Sequence, residues 1–363
     1  MKIVISHHAL SELGGTETYA ITLAAELQRL GHLVMLYAAE GVGPAAEVAR
    51  KRGLSVTSNR ESLPSNCDVL IANDAGTAFS VAPLFPKAVR LYVAHSDSFA
   101  LQGAPQLEGI CHAVIVMSDR VRDFVEARAY SPRLVRLRQP VDLKRFGAFP
   151  PRPEDGQRRA LLLGNYLQGK GVDVVAAACE AAGFHLTVRG RWSQTTAAPE
   201  REISNADVVI GFGRCIIEAM AGRRAAYVYG LSGGDGWVTP ESYARLEADG
   251  FAGCGLDVTV TPDQLASDLS NWNPEMGEIN RKLAYQHHHA TRHAIEMVGL
   301  TKSLGAPRST PPTYADELAR LVRVEWDSWG RYAGALNAMI KTNNELEVAH
   351  KLTEERARQL TEE

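Results

Sequence analysis

The sequence predicts an α/β chain of two successive Rossmann-like parallel-sheet domains followed by a helical extension. Three observations predict it. Short, almost unbroken apolar runs alternate with amphipathic helical stretches, the pattern of parallel strands buried on both faces. That alternation is interrupted by one Pro-rich polar segment and then starts again, as at a domain boundary. The chain also has 363 residues, 45% of them hydrophobic and 22% charged, enough to bury two separate cores.

Residues 2–5 (KIVI) read as the first strand, and a glycine loop leads to an amphipathic helix over 16–30 that stops at Gly31. Strands follow at 33–38, 68–73, 89–94 and 113–117, closing a first domain of residues 1–146. Residues 147–159, with Pro150, Pro151 and Pro153, form the linker. The pattern restarts at 160–164 (ALLLG), with a helix over 172–182, strands at 185–189 and 206–210, a helix near 215–221 and a strand at 225–230. This second domain is assigned to residues 160–301. A further punctuated stretch, 305–312, precedes a helical extension over 314–363. In it Trp329, Tyr332, Leu336, Met339, Asn343, Leu346, His350, Thr353, Ala357 and Leu360 alternate at spacings of three and four. That is a heptad register, with Asn343 where a polar residue fixes alignment in parallel coiled-coil dimers, so a homo-oligomer through this helix is expected. A terminal helix packed on its own domain explains residues 326–339 equally well. The heptad pattern runs to the last residue without a capping signal, which leaves continuation beyond Glu363 open.

Thirty-nine basic against 42 acidic residues give a net charge of −3, and no Lys/Arg block occurs, which argues against nucleic acid as a partner. The imbalance belongs to the extension: residues 314–363 carry seven basic and ten acidic side chains, so the body is formally neutral. Five scattered cysteines, never in a C-x-x-C arrangement, suggest neither zinc nor a disulfide framework and fit a reducing, cytoplasmic setting. No apolar stretch approaches the ~20 residues of a membrane span, and the N-terminus shows no secretory h-region.

Three glycine-containing turns carry candidate chemistry. Gly14-Gly15 lies between the first strand and first helix, where backbone N–H groups and the helix dipole favour an anion. Gly164 to Gly171 (GNYLQGKG) matches the start of a P-loop formally, yet Gly171 stands where a Ser/Thr hydroxyl should hold magnesium, so an ATPase site is rejected. Gly211-Phe212-Gly213-Arg214 opens a helix carrying Glu218, near the carboxyl edge of the sheet where open α/β folds bind ligands. The run His287-His288-His289 with His293 has no H-E-x-x-H pattern and reads as a packing helix rather than a metal site. His7 and His8 follow the first strand and face the same edge.

In combination these features resemble retaining glycosyltransferases of the GT-B fold, family 4. The matching elements are Gly14-Gly15, the Gly31-His32 helix end, His95 in Val93-Ala94-His95-Ser96-Asp97, Ser118, the Pro140-to-Phe146 segment, Gly164 to Gly171, and Gly211 to Glu218. The resemblance spans residues 1 to about 300. It implies two domains facing a cleft and transfer of a sugar from a nucleotide diphosphate sugar to a glycan, glycolipid or glycoprotein acceptor, without a metal or other cofactor. It implies a place in polysaccharide biosynthesis, in the cytoplasm or in peripheral contact with the inner face of the membrane. His95 and Lys170 would be the catalytic residues. The donor would contact Gly14, Gly15, Asn165, Lys170, Gly213, Arg214 and Glu218, with Glu218 on the ribose, and Gly233, Gly234 and Asp235 would shape the sugar pocket.

Two positions depart from the family pattern. Asn165 replaces the arginine that pairs with Lys170 on the diphosphate, and Ile210 replaces the first glutamate of E-x7-E. Arg214 is the candidate replacement for the lost charge, with Arg189 or Arg191 behind it. Asp235 is the candidate replacement for the lost carboxylate, against the plainer reading of a turn residue. The same two losses define the alternative function, a catalytically weakened relative kept as a binding or scaffold subunit.

Overall fold

A computed structural model describes residues 1–97, 102–105, 109–127, 133–147, 149, 155–165, 169–191, 193–196, 198–230, 233–256, 260–305 and 315–362. The first sheet contains β1 (Lys2–His7), β2 (Leu33–Ala38), β3 (Ser55–Thr57), β4 (Val69–Ala72), β5 (Val89–Ala94), β6 (Ala113–Val116) and β7 (Leu134–Arg136). All seven are parallel, in the order β3-β2-β1-β4-β5-β6-β7. Helices α1 (Gly15–Arg29), α2 (Pro44–Lys51), α3 (Ala75–Val81) and α4 (Asp119–Glu126) connect them. Because helices cover both faces, Ile3, Val4 and Ile5 are all buried, which is why this strand reads as a run rather than an alternation.

Next come α5 (Leu143–Phe146), α6 (Lys170–Ala181), α7 (Pro199–Ser204), α8 (Arg214–Ala221), α9 (Pro240–Ala248), α10 (Pro262–Ser270), α11 (Glu275–His287), α12 (Ala290–Leu304) and α13 (Ala315–Glu362). The second sheet is built from β8 (Arg158–Leu163), β9 (Phe184–Arg189), β10 (Val208–Gly211), β11 (Ala225–Gly230) and β12 (Gly233–Trp237), ordered β12-β11-β10-β8-β9. Its edge strand β12 runs antiparallel to β11, so the second sheet is mixed, and the Gly-Gly stretch at 233–234 is strand rather than open loop.

The chain passes between domains twice, and both passages differ from the boundaries read in the sequence. Val141, Leu143 and Phe146 already pack in the second core, before the Pro-rich segment. In return, Ala294 and Met297 of α12 pack with α1 in the first core, although residues 160–301 had been assigned to the second domain. The reason is a pairing of the two passages: Val141 donates to the His288 carbonyl at 2.8 Å, and Ala290 donates to the Val141 carbonyl at 3.3 Å. Hydrophobic periodicity places α12 correctly as a helix but does not say which core its stripe enters.

The first passage is an extended segment without a ladder partner on its other edge. Its three successive carbonyls accept from side chains instead. His293 Nδ1 bonds the Arg138 carbonyl at 3.0 Å, His288 Nδ1 bonds that of Gln139 at 2.8 Å, and Arg214 Nη1 bonds that of Pro140 at 3.0 Å. With Nδ1 donating, each histidine accepts at Nε2 from a buried phenol: Tyr19 on His293 at 3.0 Å and Tyr243 on His288 at 2.9 Å. Burial holds both imidazoles neutral, near about 3 for His288 and about 4 for His293. The sequence reading of this histidine cluster as packing rather than metal binding agrees with these roles.

A histidine whose folded value lies below its unfolded one contributes stability above the unfolded value, lost as pH falls toward the folded one. His288, His293 and His95, the last likewise lowered to about 3, together give a dependence of about 4 kcal/mol per pH unit between roughly pH 6 and pH 4, to which the half-buried His112 adds. Denaturant titrations across that window should show it, and His288→Gln should remove about a quarter to a third of the slope.

Candidate functional site

The carboxyl edges of the two sheets supply the candidate site. Gly14 ends the loop after β1 and stands at the N-cap of α1, Gly169 at that of α6 and Gly213 at that of α8, and none of the three ends has a side-chain cap. Their first N–H groups are therefore left to a ligand or to solvent. Gly169 and Gly213 hold φ of 55° and 66° with ψ near −130°, a region that side-chain-bearing residues do not tolerate. This explains why glycine, and not a Ser or Asp cap, occupies the starts of α6 and α8.

Arg214, the first residue of α8, is 9% exposed. It is not a solvent-facing side chain. Its Nε donates to Glu218 Oε1 at 2.9 Å, Nη1 donates to the Pro140 carbonyl at 3.0 Å, and Nη2 is buried without a hydrogen-bond partner among the described residues. Glu218 is 5% exposed; burial raises its pKa and Arg214 opposes that rise. Arg145 adds positive charge nearby and is itself clamped on Glu200, at 2.6 and 3.1 Å.

The charge of Arg214 bears on the neutral rings of Tyr19, His95 and His293. His95, just after β5, is half-buried, and its Nε2 lies 2.9 Å from Asn73 Oδ1. The Tyr19 ring meets it edge-on at 5.1 Å between centroids. Burial first, then His7 and Arg214, lower the His95 pKa to about 3, so it is neutral throughout the physiological range.

Other expected residues fall as follows. Asn165 is exposed after β8; residues 166–168 and the side chain of Lys170 lie outside the described residues. Ile210 is fully buried in the second core, where a glutamate would lack solvent. Arg189 pairs with Glu202 at 3.0 Å, and Arg191 reaches Glu12, before the Gly14-Gly15 turn, at 2.6 Å. Among Arg189, Arg191 and Arg214, it is the charge of Arg214 that bears on His95 and Tyr19. The Asp235 carboxylate is consumed within its own domain: it accepts from Gly255 N at 3.0 Å and Leu256 N at 2.9 Å, with Arg245 at 3.7 Å. Asp235 thus ties β12 to a loop twenty residues further along the chain rather than making a turn of its own. Tyr19 and Asn73 were missed, because a tyrosine in an amphipathic helix and an asparagine after a strand both look structural in a one-dimensional pattern.

A cavity of ≈ 370 Å³ is lined by Arg136, Arg138, Glu247, His287 and Arg292 among others, and holds none of the glycine-capped helix ends. Near the site, α13 lies along the carboxyl edge of the first sheet. Ala319 is buried there with α3, Arg323 pairs with Glu40 at 3.4 Å, and the Trp326 and His8 rings stand 4.4 Å apart. From Trp329 onward its apolar residues Tyr332, Leu336, Met339 and Leu346 are exposed.

Against solved structures, 84% of the chain aligns with all of HepE from Anabaena, in a complex with UDP and glucose, at a TM-score of 0.60 and 12% identity. A glycosyltransferase from Rickettsia africae aligns over 84% of this chain and 98% of its own, with a TM-score of 0.58 and 14% identity. Sucrose-phosphate synthase from Thermosynechococcus elongatus gives the same coverage, a TM-score of 0.54 and 14% identity. The fold is GT-B. No family model and no curated protein matches the sequence.

A buried ion pair broken on one side leaves an uncompensated charge. Arg214→Ala should therefore destabilise the protein by about 3–5 kcal/mol, whereas Arg214→Met with Glu218→Met should restore most of that loss. Equilibrium denaturation of both variants checks it.

Proposed function

We propose that the protein is a glycosyltransferase that moves a sugar from a nucleoside diphosphate donor to a hydroxyl of a glycan, glycolipid or glycoprotein. The observation that carries this reading is the buried Nη2 of Arg214, without a hydrogen-bond partner among the described residues, at the glycine-capped start of α8, on a side chain whose charge reaches His95 and Tyr19. The fold is shared with HepE, whose structures contain UDP and UDP-glucose, and this favours a uridine nucleotide as the donor.

In this reading the diphosphate sits against the starts of α1, α6 and α8, at Gly14, Gly15, Gly169 with Lys170, and Gly213. Arg214 supplies the fixed charge that Asn165 cannot, so the negative charge developing on the leaving diphosphate meets a pre-oriented guanidinium and backbone N–H groups. Glu218 holds Arg214 through one oxygen and offers the other to a ribose hydroxyl. Reaction with retention of configuration follows if both bonds change on one face: the C1–O bond to phosphate breaks, the C1–O bond to the acceptor forms, and the acceptor proton passes to the departing phosphate oxygen. His95 supports that route, since a group titrating near about 3 is too weak a base to take an alcohol proton. The chemistry is assigned to these residues without a bound metal. Gly233 and Gly234 remain candidates for the sugar pocket. The scaffold alternative rests on Asn165 and Ile210, and the placement of Arg214 answers the first.

The acceptor and the biosynthetic route, that of a polysaccharide in the cytoplasm or at the inner membrane face, extend the same proposal. Among the described residues no helix is long and apolar enough to cross a membrane. The exposed stripe of α13 is assigned to self-association.

UDP and UDP-glucose should each stabilise the protein, by about 2.7 kcal/mol at a hundredfold excess over Kd. The Arg214→Met, Glu218→Met variant should lose at least tenfold in UDP affinity by calorimetry, as expected for about 1.5–3 kcal/mol from a hydrogen bond to a charged group. Failure of every UDP-, GDP- or other nucleoside diphosphate sugar to bind the unmutated protein would sink the proposal. For α13, removing residues 341–363 should lower the solution mass to that of a monomer in sedimentation measurements.

A further inference from the structure

We infer that Asn73 is a positioning residue that locks His95 as the neutral Nε2–H tautomer, so that Nδ1 offers its lone pair to a hydroxyl of the sugar bound in the cleft. Only the identity of that hydroxyl rests on the glycosyltransferase reading.

The orientation of Asn73 follows from its partner on the other side. The residue ends β4, is 1% exposed, and donates through Nδ2 to the Ser6 carbonyl at 3.0 Å, while its backbone N–H donates to the same oxygen at 3.1 Å. Reversing the amide would set two carbonyl oxygens against each other at that distance. Oδ1 therefore faces His95 Nε2, and an acceptor oxygen at 2.9 Å from a ring nitrogen requires that nitrogen to carry the proton. His95 Nδ1 has no hydrogen-bond partner among the described residues. The ring cannot readily turn away: its backbone N–H is bonded to the Gln102 carbonyl at 3.0 Å, and Tyr19 packs edge-on against it.

The surroundings keep the ring neutral from every side. His7 approaches from the end of β1, Arg214 from α8, and Tyr19 from α1 with its hydroxyl committed to His293 of α12. The nearest carboxylates are engaged elsewhere: Asp74 caps α3 through Thr77 N at 2.8 Å and Thr77 Oγ1 at 2.7 Å, and Asp97 pairs with Arg120. A fixed lone pair among positive and neutral groups accepts from an O–H or N–H and has no proton to give. His95 thus selects a hydroxyl-bearing ring position and disfavours a carboxylate or carbonyl oxygen at the same point. Its contribution to transfer is orientation of the sugar, with the proton left to the departing phosphate.

The test is long-range nitrogen–proton NMR on the intact protein, with His95 assigned by comparison with His95→Gln. The expected spectrum shows a protonated Nε2 and an unprotonated Nδ1, unchanged from about pH 5.5 to pH 8. In Asn73→Asp the carboxylate favours the imidazolium, so His95 should titrate in the ordinary imidazole range. A protonated Nδ1 in the unmutated protein overturns the inference. So does a folded Asn73→Asp protein whose His95 remains neutral with its proton where it was. The spectrum of the unmutated protein decides the tautomer even if the variant does not fold. Loss of UDP binding in the unmutated protein would instead count against the glycosyltransferase reading and leave the tautomer result standing.

Discussion

Three consecutive backbone carbonyls on the passage between the domains organise the rest of the molecule. Those of Arg138, Gln139 and Pro140 are bonded by His293, His288 and Arg214, which belong to α12, to the turn before α12 and to α8. A buried carbonyl left without a donor costs about 1–3 kcal/mol, so each side chain is held to one place by a group that cannot move independently of the chain. Because the donors come from three elements, the passage fixes the start of α8 relative to the first domain. The orientation of both sheets' carboxyl edges follows from it.

That constraint also sets the electrostatics of the candidate site. Arg214 is bonded to the passage at one end and to Glu218 along its own helix, which leaves the remaining guanidinium nitrogen buried and without a partner among the described residues. Of the groups its charge reaches, His95 and His293 are neutral because burial and that charge both disfavour a second cation, and Tyr19 is neutral because burial outweighs the pull of Arg214 toward the phenolate. A single buried positive charge, partly compensated and surrounded by neutral rings, is a suitable environment for an incoming anion. The same low polarity strengthens each contact the anion makes.

The glycine turns, the strand runs and the order of the two domains were legible in one dimension, because backbone conformation and two-faced burial leave local marks. Gly213 combines a positive φ with a ψ near −130°, which only glycine tolerates, and β1 needs unbroken apolar residues; both requirements are met in the sequence itself. Tyr19, Asn73 and the return of α12 to the first core left no such mark. Each depends on a partner far along the chain: His293 for Tyr19, His95 and Ser6 for Asn73, and α1 for α12. Asp235 shows the converse, since a carboxylate that suited a sugar pocket on sequence position is spent on the N–H groups of Gly255 and Leu256.

By itself, then, the sequence determined the α/β class, the two domains and the glycine-capped helix starts, since local sterics and hydrophobic pattern suffice for these. The tertiary structure decided which arginine's charge reaches the neutral rings, which histidines are spent on backbone carbonyls and where each domain ends. These are questions of which distant groups meet, and a buried polar group is defined by the partner that satisfies it rather than by its neighbours in sequence.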